Sequence, residues 1–396
     1  MLNTVLQDRH PTGIGIGHRF CKALLLMLVL LGLLSCRQQA STPTPEENPT
    51  PAATETEFEN RLTLDDVILE QANEQGQMLW RVEAKQASYS PDQGLAQVVQ
   101  PTGELYRDGE LLYKIQAQQG EVYQESKRIV LRDQIVATDP NNGLVLRGQE
   151  LEWTVEHEIL IVRNGVSGDH EKLQAIATEA QVFNKDKRAE FWHEVVVTAK
   201  DPVVKLQTDH IVWHWEDERL VSDRPLKIDR YQDQKITDRG VAETGEVNLK
   251  TQLATLKQNV QIALTEPALQ VGSQELNWNY QQQTVTAPQP ITIIEREQGV
   301  TFTANQGKGD LEKAIFQLQG NVLGIAQQRR AQLNTNQLTW SVPQQTFEAQ
   351  GNVIYRQMEP PLNLRGDTAV GELSNNTIIV KSNSPQGQVI TEFVPE

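Results

Sequence analysis

A short apolar mark returns along this chain at nearly constant spacing: Leu105, Ile135, Val166, Val195, Leu226, Val260, Ile291, Val322 and Val353. The intervals are 30, 31, 29, 31, 34, 31, 31 and 31 residues. A second mark stands 13 residues upstream of most of them: Val122, Trp153, Val182, Trp213, Val247, Trp278 and Trp340, with Leu311 at 11. A fixed period means that one supersecondary unit is stacked on copies of itself, each burying its apolar face against the next. The period predicts an elongated ladder with one long core or groove. Function should then lie along a surface rather than in a compact pocket.

The repeating unit reads as β. Leu276-Asn277-Trp278-Asn279-Tyr280 alternates apolar and polar, Gln281-Gln282-Gln283 turns the chain, and Val285 opens another run. Leu151-Glu152-Trp153-Thr154-Val155 does the same before Glu156-His157-Glu158, Ile211-Val212-Trp213 before Glu216-Asp217-Glu218, and Leu338-Thr339-Trp340 before Pro343-Gln344-Gln345. Alternation puts Leu151 with Trp153, and Ile211 with Trp213, on one face of their strands. No window after residue 58 sustains a 3.6-residue period. Short polar turns between runs of four to eight residues favour antiparallel hairpins, with a parallel β-helix as the alternative that shares the period. Asn164-Gly165, Gly320-Asn321 and Gly351-Asn352 each precede a mark and predict a bulge or tight bend. Pro225 and Pro290 hold the same place and suggest a strand's first residue or an edge.

The amino terminus carries a different signal. Arg9, Arg19 and Lys22 precede an uninterrupted apolar stretch, Ala23 to Leu34, that ends in Leu33-Leu34-Ser35-Cys36. Twelve residues rise about 18 Å as a helix, short of a bilayer core of roughly 30 Å. A small residue followed by cysteine at that point resembles the lipobox of bacterial lipoproteins. The expectation is a signal peptide over 1–35, removed to leave a lipidated Cys36 as first residue; an ordinary cleaved signal or a retained helix are the alternatives. Residues 40–57 are Pro/Thr/Glu-rich with almost nothing to bury and reach roughly 55 Å at about 3 Å per residue, so 36–57 reads as a disordered tether behind the lipidated cysteine. The repeat-built body then spans 58–396, as one continuous unit or as two tandem halves of about 58–235 and 236–396.

Chemistry is scarce. Beyond residue 35 the chain holds 33 basic against 51 acidic residues, which leaves no electrostatic footprint for nucleic acid. Its two cysteines, Cys21 and Cys36, fall within or at the end of the leader, so packing and strand pairing alone must hold the body. His210 and His214 stand four apart, but on a strand four residues span about 13 Å and cannot share an ion. The carboxylates gather in turns, no pair has a context for acid–base work, and Gly165-Val166-Ser167-Gly168 lacks the strand-to-helix setting of a nucleophile elbow. The reading is no catalytic residue, no metal, no cofactor and no enzyme. The tryptophans are either core plugs or, being amphipathic, the lining of a groove for long apolar chains; alternation serves both equally.

The Gly-Asn-Val rungs, the Leu-x-Trp strands and the stretch Leu79-Trp80-Arg81-Val82-x-Ala84-x-x-Ala87-x-Tyr89 together resemble the LptC/LptA (OstA-like) family of lipopolysaccharide export over about residues 58–396. The likeness is greatest to long, lipoprotein-type LptC forms of cyanobacteria. It implies an all-β, twisted antiparallel β-jellyroll, folded like a taco and open along one side. It further implies a periplasmic protein held at the inner (plasma) membrane, whose apolar trough takes lipopolysaccharide from the permeases of an inner-membrane ABC transporter. The cargo would pass to a downstream β-jellyroll bridge or outer-membrane translocon. On that resemblance the inward residues Leu151, Trp153, Ile211, Trp213, Leu276, Trp278, Leu338 and Trp340 are candidates to line the trough. Two rival readings are a lipid-anchored structural or adhesive β-solenoid with a dry core, and a polysaccharide-processing β-helix enzyme.

Overall fold

The computed structural model describes residues 62–90, 94–375, 377–382 and 390–392. They form 28 strands and one short 3-10 turn, Gln327–Arg329, in a continuous antiparallel ladder. The leader, Cys36 and the tether lie outside the described residues. Among the described residues no helix is long and apolar enough to cross a membrane.

The longest strands exceed the runs of four to eight residues expected from the alternation. Arg188–Lys200 has 13 residues and Val203–His214 has 12. The excess arises because both run through one corner, which on Arg188–Lys200 is a bulge. His193 and Glu194 both take positive φ, and the pairing skips from Trp192 opposite His210 to Val195 opposite Thr208. Two residues thus oppose the single Asp209, which bends the strand sharply. Asp133-Gln134, Asn164-Gly165, Gln258-Asn259, Gly320-Asn321 and Gly351-Asn352 repeat the device with positive φ. Where proline occurs the strand breaks instead. Pro225 lies between Arg219–Ser222 and Leu226–Gln232, and Pro290 between Thr284–Ala287 and Ile291–Glu295. Eight of the nine periodic apolar marks are therefore the first residue after a corner. Leu105 sits further along its strand, after a corner at Gln100-Pro101.

Stacked corners divide the ladder into two facing sheets joined along one side. About twenty strands lie side by side in each, so at about 4.8 Å per strand the ladder is roughly 95 Å long. One sheet carries Trp153, Trp213, Trp278 and Trp340; rings cross from it to the facing sheet, with centroids 6.2 Å apart for Trp153 and Tyr113 and 4.9 Å for Trp340 and Phe302. Between the sheets a single apolar cluster runs from Trp80 to Leu373. Residue 235 falls inside a hairpin, Leu226–Gln232 with Lys235–Ala242, and the sheet continues through it.

Both ends carry lightly covered strands. Among the described residues Leu62–Ala72 pairs with Met78–Ser90 alone, and its inward Leu62 and Leu64 are 53% and 43% exposed. At the other end Thr377–Lys381 and Ile390–Glu392 both pair with Pro361–Glu372.

Candidate functional site

Strand register orders the inner surface of the tryptophan sheet into rows. One row runs across successive strands from Ala96 to Ile378, and Trp153, Trp213, Trp278 and Trp340 occur in it at every fourth strand. It is the inward row next to the turns. Leu151, Ile211, Leu276 and Leu338 lie one row deeper, toward the corners. All eight candidates thus face inward, each at most 3% exposed. They are packed: a Cβ on Gly240 of the facing sheet would stand 3.3 Å from the Trp278 ring. Beneath Tyr280 the free space between the sheets is only about 20 Å³.

The indoles have a polar problem. Nε1 of Trp153, Trp213, Trp278 and Trp340 is buried with no acceptor among the described residues. Trp80 differs, for its Nε1–H donates to Oε1 of Gln71 at 2.8 Å.

Opposite the corners, two lips of turns face each other, and side chains tie them at intervals. Arg107 reaches Glu158 at 3.6 Å, Tyr113 Oη donates to Oδ1 of Asn184 at 2.6 Å, and Lys172 pairs with Glu218 at 2.6 Å. Arg329 donates to the carbonyl oxygen of Leu373. Burial pushes the Tyr113 phenol well up and that of Tyr280 up to about 12, so both stay neutral donors beneath the mouth.

Space opens at the carboxyl-terminal end. A cleft of about 330 Å³, at the small end of ligand pockets, lies between Phe302, Leu333, Phe347, Tyr355, Leu373 and Ile378, with Arg329 at its rim. Burial raises the Tyr355 phenol, against the pull of the Arg329 guanidinium. The cleft adjoins the expected site at Trp340, whose ring meets that of Phe302 and which pairs with Phe347 across the strands. The irregular mark at Leu311 also has a structural reason. Thirteen residues before Val322 stands Gly309, not Leu311, and Gly309 occupies the tryptophan row because the Phe316 ring fills its place. Leu311 sits in the following turn.

Two polar features interrupt the picture. Arg230 and Asp238 face inward as a buried pair at 2.8 Å, with burial raising the Asp238 carboxyl and Arg230 opposing that shift. On the outer surface His210 stacks on Trp192 at 3.6 Å and contacts Asp223 at 2.8 Å through Nδ1. His214 lies on the same outer face, two pairs further along. Among the described residues no group of three His, Cys, Asp or Glu side chains is placed to hold a metal ion.

No curated protein matches the chain. Of the solved structures, 15 chains match. One is the crystal structure of LptH, the LptA-homologous periplasmic component of the conserved lipopolysaccharide transport device from Pseudomonas aeruginosa. It is 15% identical, with 29% of this chain and 80% of that chain covered, at a TM-score of 0.27. The family model described as lipopolysaccharide-assembly, LptC-related matches residues 23–152 and 227–328, together more than half of the 396. With two inward rows in continuous register and a family model that covers more than half of the chain, the chain belongs to the LptC-related family of lipopolysaccharide-assembly proteins.

Proposed function

We propose that this chain accepts lipopolysaccharide from the permeases of an inner-membrane ABC transporter, holds its acyl chains between the two sheets, and passes them toward the outer membrane. The observation that carries the reading is the continuous inward row from Ala96 to Ile378, apolar along the ladder and broken only where Gly309 and Gly371 make room for phenylalanine rings. At about 0.8 kcal/mol per methylene, even a partly inserted acyl chain would be held, while the sugar-phosphate head stays at the mouth. Leu151, Trp153, Ile211, Trp213, Leu276, Trp278, Leu338 and Trp340 line that path, and the apolar cleft beside Arg329 opens onto its carboxyl-terminal end.

The end strands suit strand addition to neighbours: permease domains at Leu62–Ala72, and a downstream β-jellyroll bridge or outer-membrane translocon at the carboxyl end. The chain would work in the periplasm, without catalysis, anchored to the inner membrane through a lipidated Cys36. Cys36→Ser should release it to the soluble periplasmic fraction. For the trough itself, a photocrosslinker at Trp278 or Leu338 should label lipopolysaccharide, and one at Glu156 or Asp217 should not. Equal labelling at strands and turns would mean surface adsorption and overturn the reading.

A further inference from the structure

We propose that the inward indole N–H groups of Trp153, Trp213, Trp278 and Trp340 are hydrogen-bond donors for the ester and amide carbonyl oxygens of acyl chains, one grip at every fourth strand. The inference rests on the acyl-chain reading above and adds to it a polar contact inside an apolar path.

The first ground is that these four N–H groups have no acceptor among the described residues; Trp192 Nε1 shares that state but faces outward under the His210 ring, whereas these four point between the sheets. Folded proteins pair their buried donors almost without exception, and each exception calls for an explanation. Here the exception recurs four times in one row at one spacing. The second ground is Trp80, where the amide carbonyl of Gln71 accepts the indole N–H. A carbonyl oxygen is thus the acceptor this fold uses when its own chain supplies one, and the other four rungs lack it.

Depth is the third ground. The tryptophans stand in the inward row next to the lips, one row above Leu151, Ile211, Leu276 and Leu338. An amphiphile whose polar head stays at the mouth puts its acyl linkages just inside the rim and its methylenes deeper. The donors therefore lie at linkage depth and the leucines at chain depth. Four strands separate one donor from the next, roughly 19 Å, too far for one linkage to bridge. Each donor accordingly serves a different cargo position along the ladder. A single neutral hydrogen bond contributes modestly, on the order of 2- to 10-fold in affinity, which suits a contact that must be released.

The test uses the full-length protein and two synthetic probes: a lipid A-type disaccharide with ester- and amide-linked chains, and its ether-linked counterpart, equal in chain length but lacking the carbonyls. Calorimetry should give the native protein a several-fold preference for the carbonyl-bearing probe. The variant with Trp153, Trp213, Trp278 and Trp340 all replaced by Phe keeps aromatic rings but no donors, and should bind both probes with the affinity of the ether form. In the native protein, the indole proton–nitrogen signals of these four should move downfield on adding the carbonyl-bearing probe and not the ether. Those of Trp80, already paired, and of Trp192, on the outer face, should stay. The signal test holds even where the fourfold variant does not fold. A preference that survives the fourfold substitution, or indole signals that move equally with both probes, overturns the inference and leaves the trough reading standing. Failure of both probes to bind overturns the trough reading, and this inference with it.

Discussion

Trp278→Phe and Trp278→Ala separate two effects that the native residue combines. Trp278 is fully buried, with Ala254 and Val285 beside it in its row and Gly240 across from it. Alanine removes the whole ring from a site that cannot collapse, because both sheets are fixed by strand pairing, and should cost about 3–5 kcal/mol. Phenylalanine vacates roughly two to three methylene equivalents, about 2 kcal/mol at about 0.8 kcal/mol each. It also removes a buried donor without an acceptor, which relieves about 1–3 kcal/mol. Those terms nearly cancel, so Trp278→Phe should lie within about 1 kcal/mol of the native protein. Trp80→Phe gives the contrast, since it loses the same ring volume and also the bond to Gln71 at 2.8 Å, for a total of about 3 kcal/mol. Urea unfolding followed by far-ultraviolet circular dichroism, at unchanged m-value, reads all three. If Trp278→Phe costs as much as Trp80→Phe, the Trp278 N–H has a partner after all and the reasoning fails.

Gly309→Ala places a Cβ at 2.6 Å from the Phe316 ring and should lower stability by about 1–3 kcal/mol, with Phe316→Leu in the same chain restoring part of it in urea melts. Asp229 is buried, which alone would raise its carboxyl, but Arg239 and Lys227 hold it below the usual range. Its contribution is therefore present above the unfolded value of about 3.9 and lost as pH falls through the lower folded value, so Asp229→Asn and native urea midpoints should converge below about pH 4. Deleting residues 383–396 should abolish capture of the downstream partner while leaving the β dichroism nearly unchanged; collapse of the fold would make that segment a cap.

The period and the alternation carried most of the architecture. Trp153, Trp213, Trp278 and Trp340 fall in one cross-strand row because 13 residues before each corner spans a turn of constant length and a fixed number of steps on the strand either side of it. Asn164-Gly165, Gly320-Asn321 and Gly351-Asn352 revealed their corners because glycine and asparagine tolerate positive φ. His193-Glu194 and Asp133-Gln134 take the same conformation with no such signature, since the pairing on either side imposes it. The cleft was less legible. Its lining, from Phe302 to Ile378, comes from six strands and the turns between them, and openness depends on how far the lips stand apart, which no single strand encodes. The ties between the lips were likewise hidden, for Arg107 ends a strand of one sheet and Glu158 lies in a turn of the other, 51 residues apart.

Those ties bear on how so full a core could carry cargo. If acyl chains enter between the sheets, parting the sheets exposes apolar surface that the chains then cover again, so the transfer term largely cancels. What remains opposed to entry is the set of links across the mouth: Arg107 with Glu158, Tyr113 with Asn184, Lys172 with Glu218, and Arg329 with the Leu373 carbonyl. Half-exposed ion pairs contribute about 0–1 kcal/mol each, and one neutral hydrogen bond about 0.5–1.5 kcal/mol. Two or three methylenes match any one of them. Links of that size, spaced along the ladder, hold an empty trough shut yet yield one at a time to an advancing chain. The threshold for entry is then set at each rung by a turn residue, while the rows beneath supply nearly uniform contact along the way.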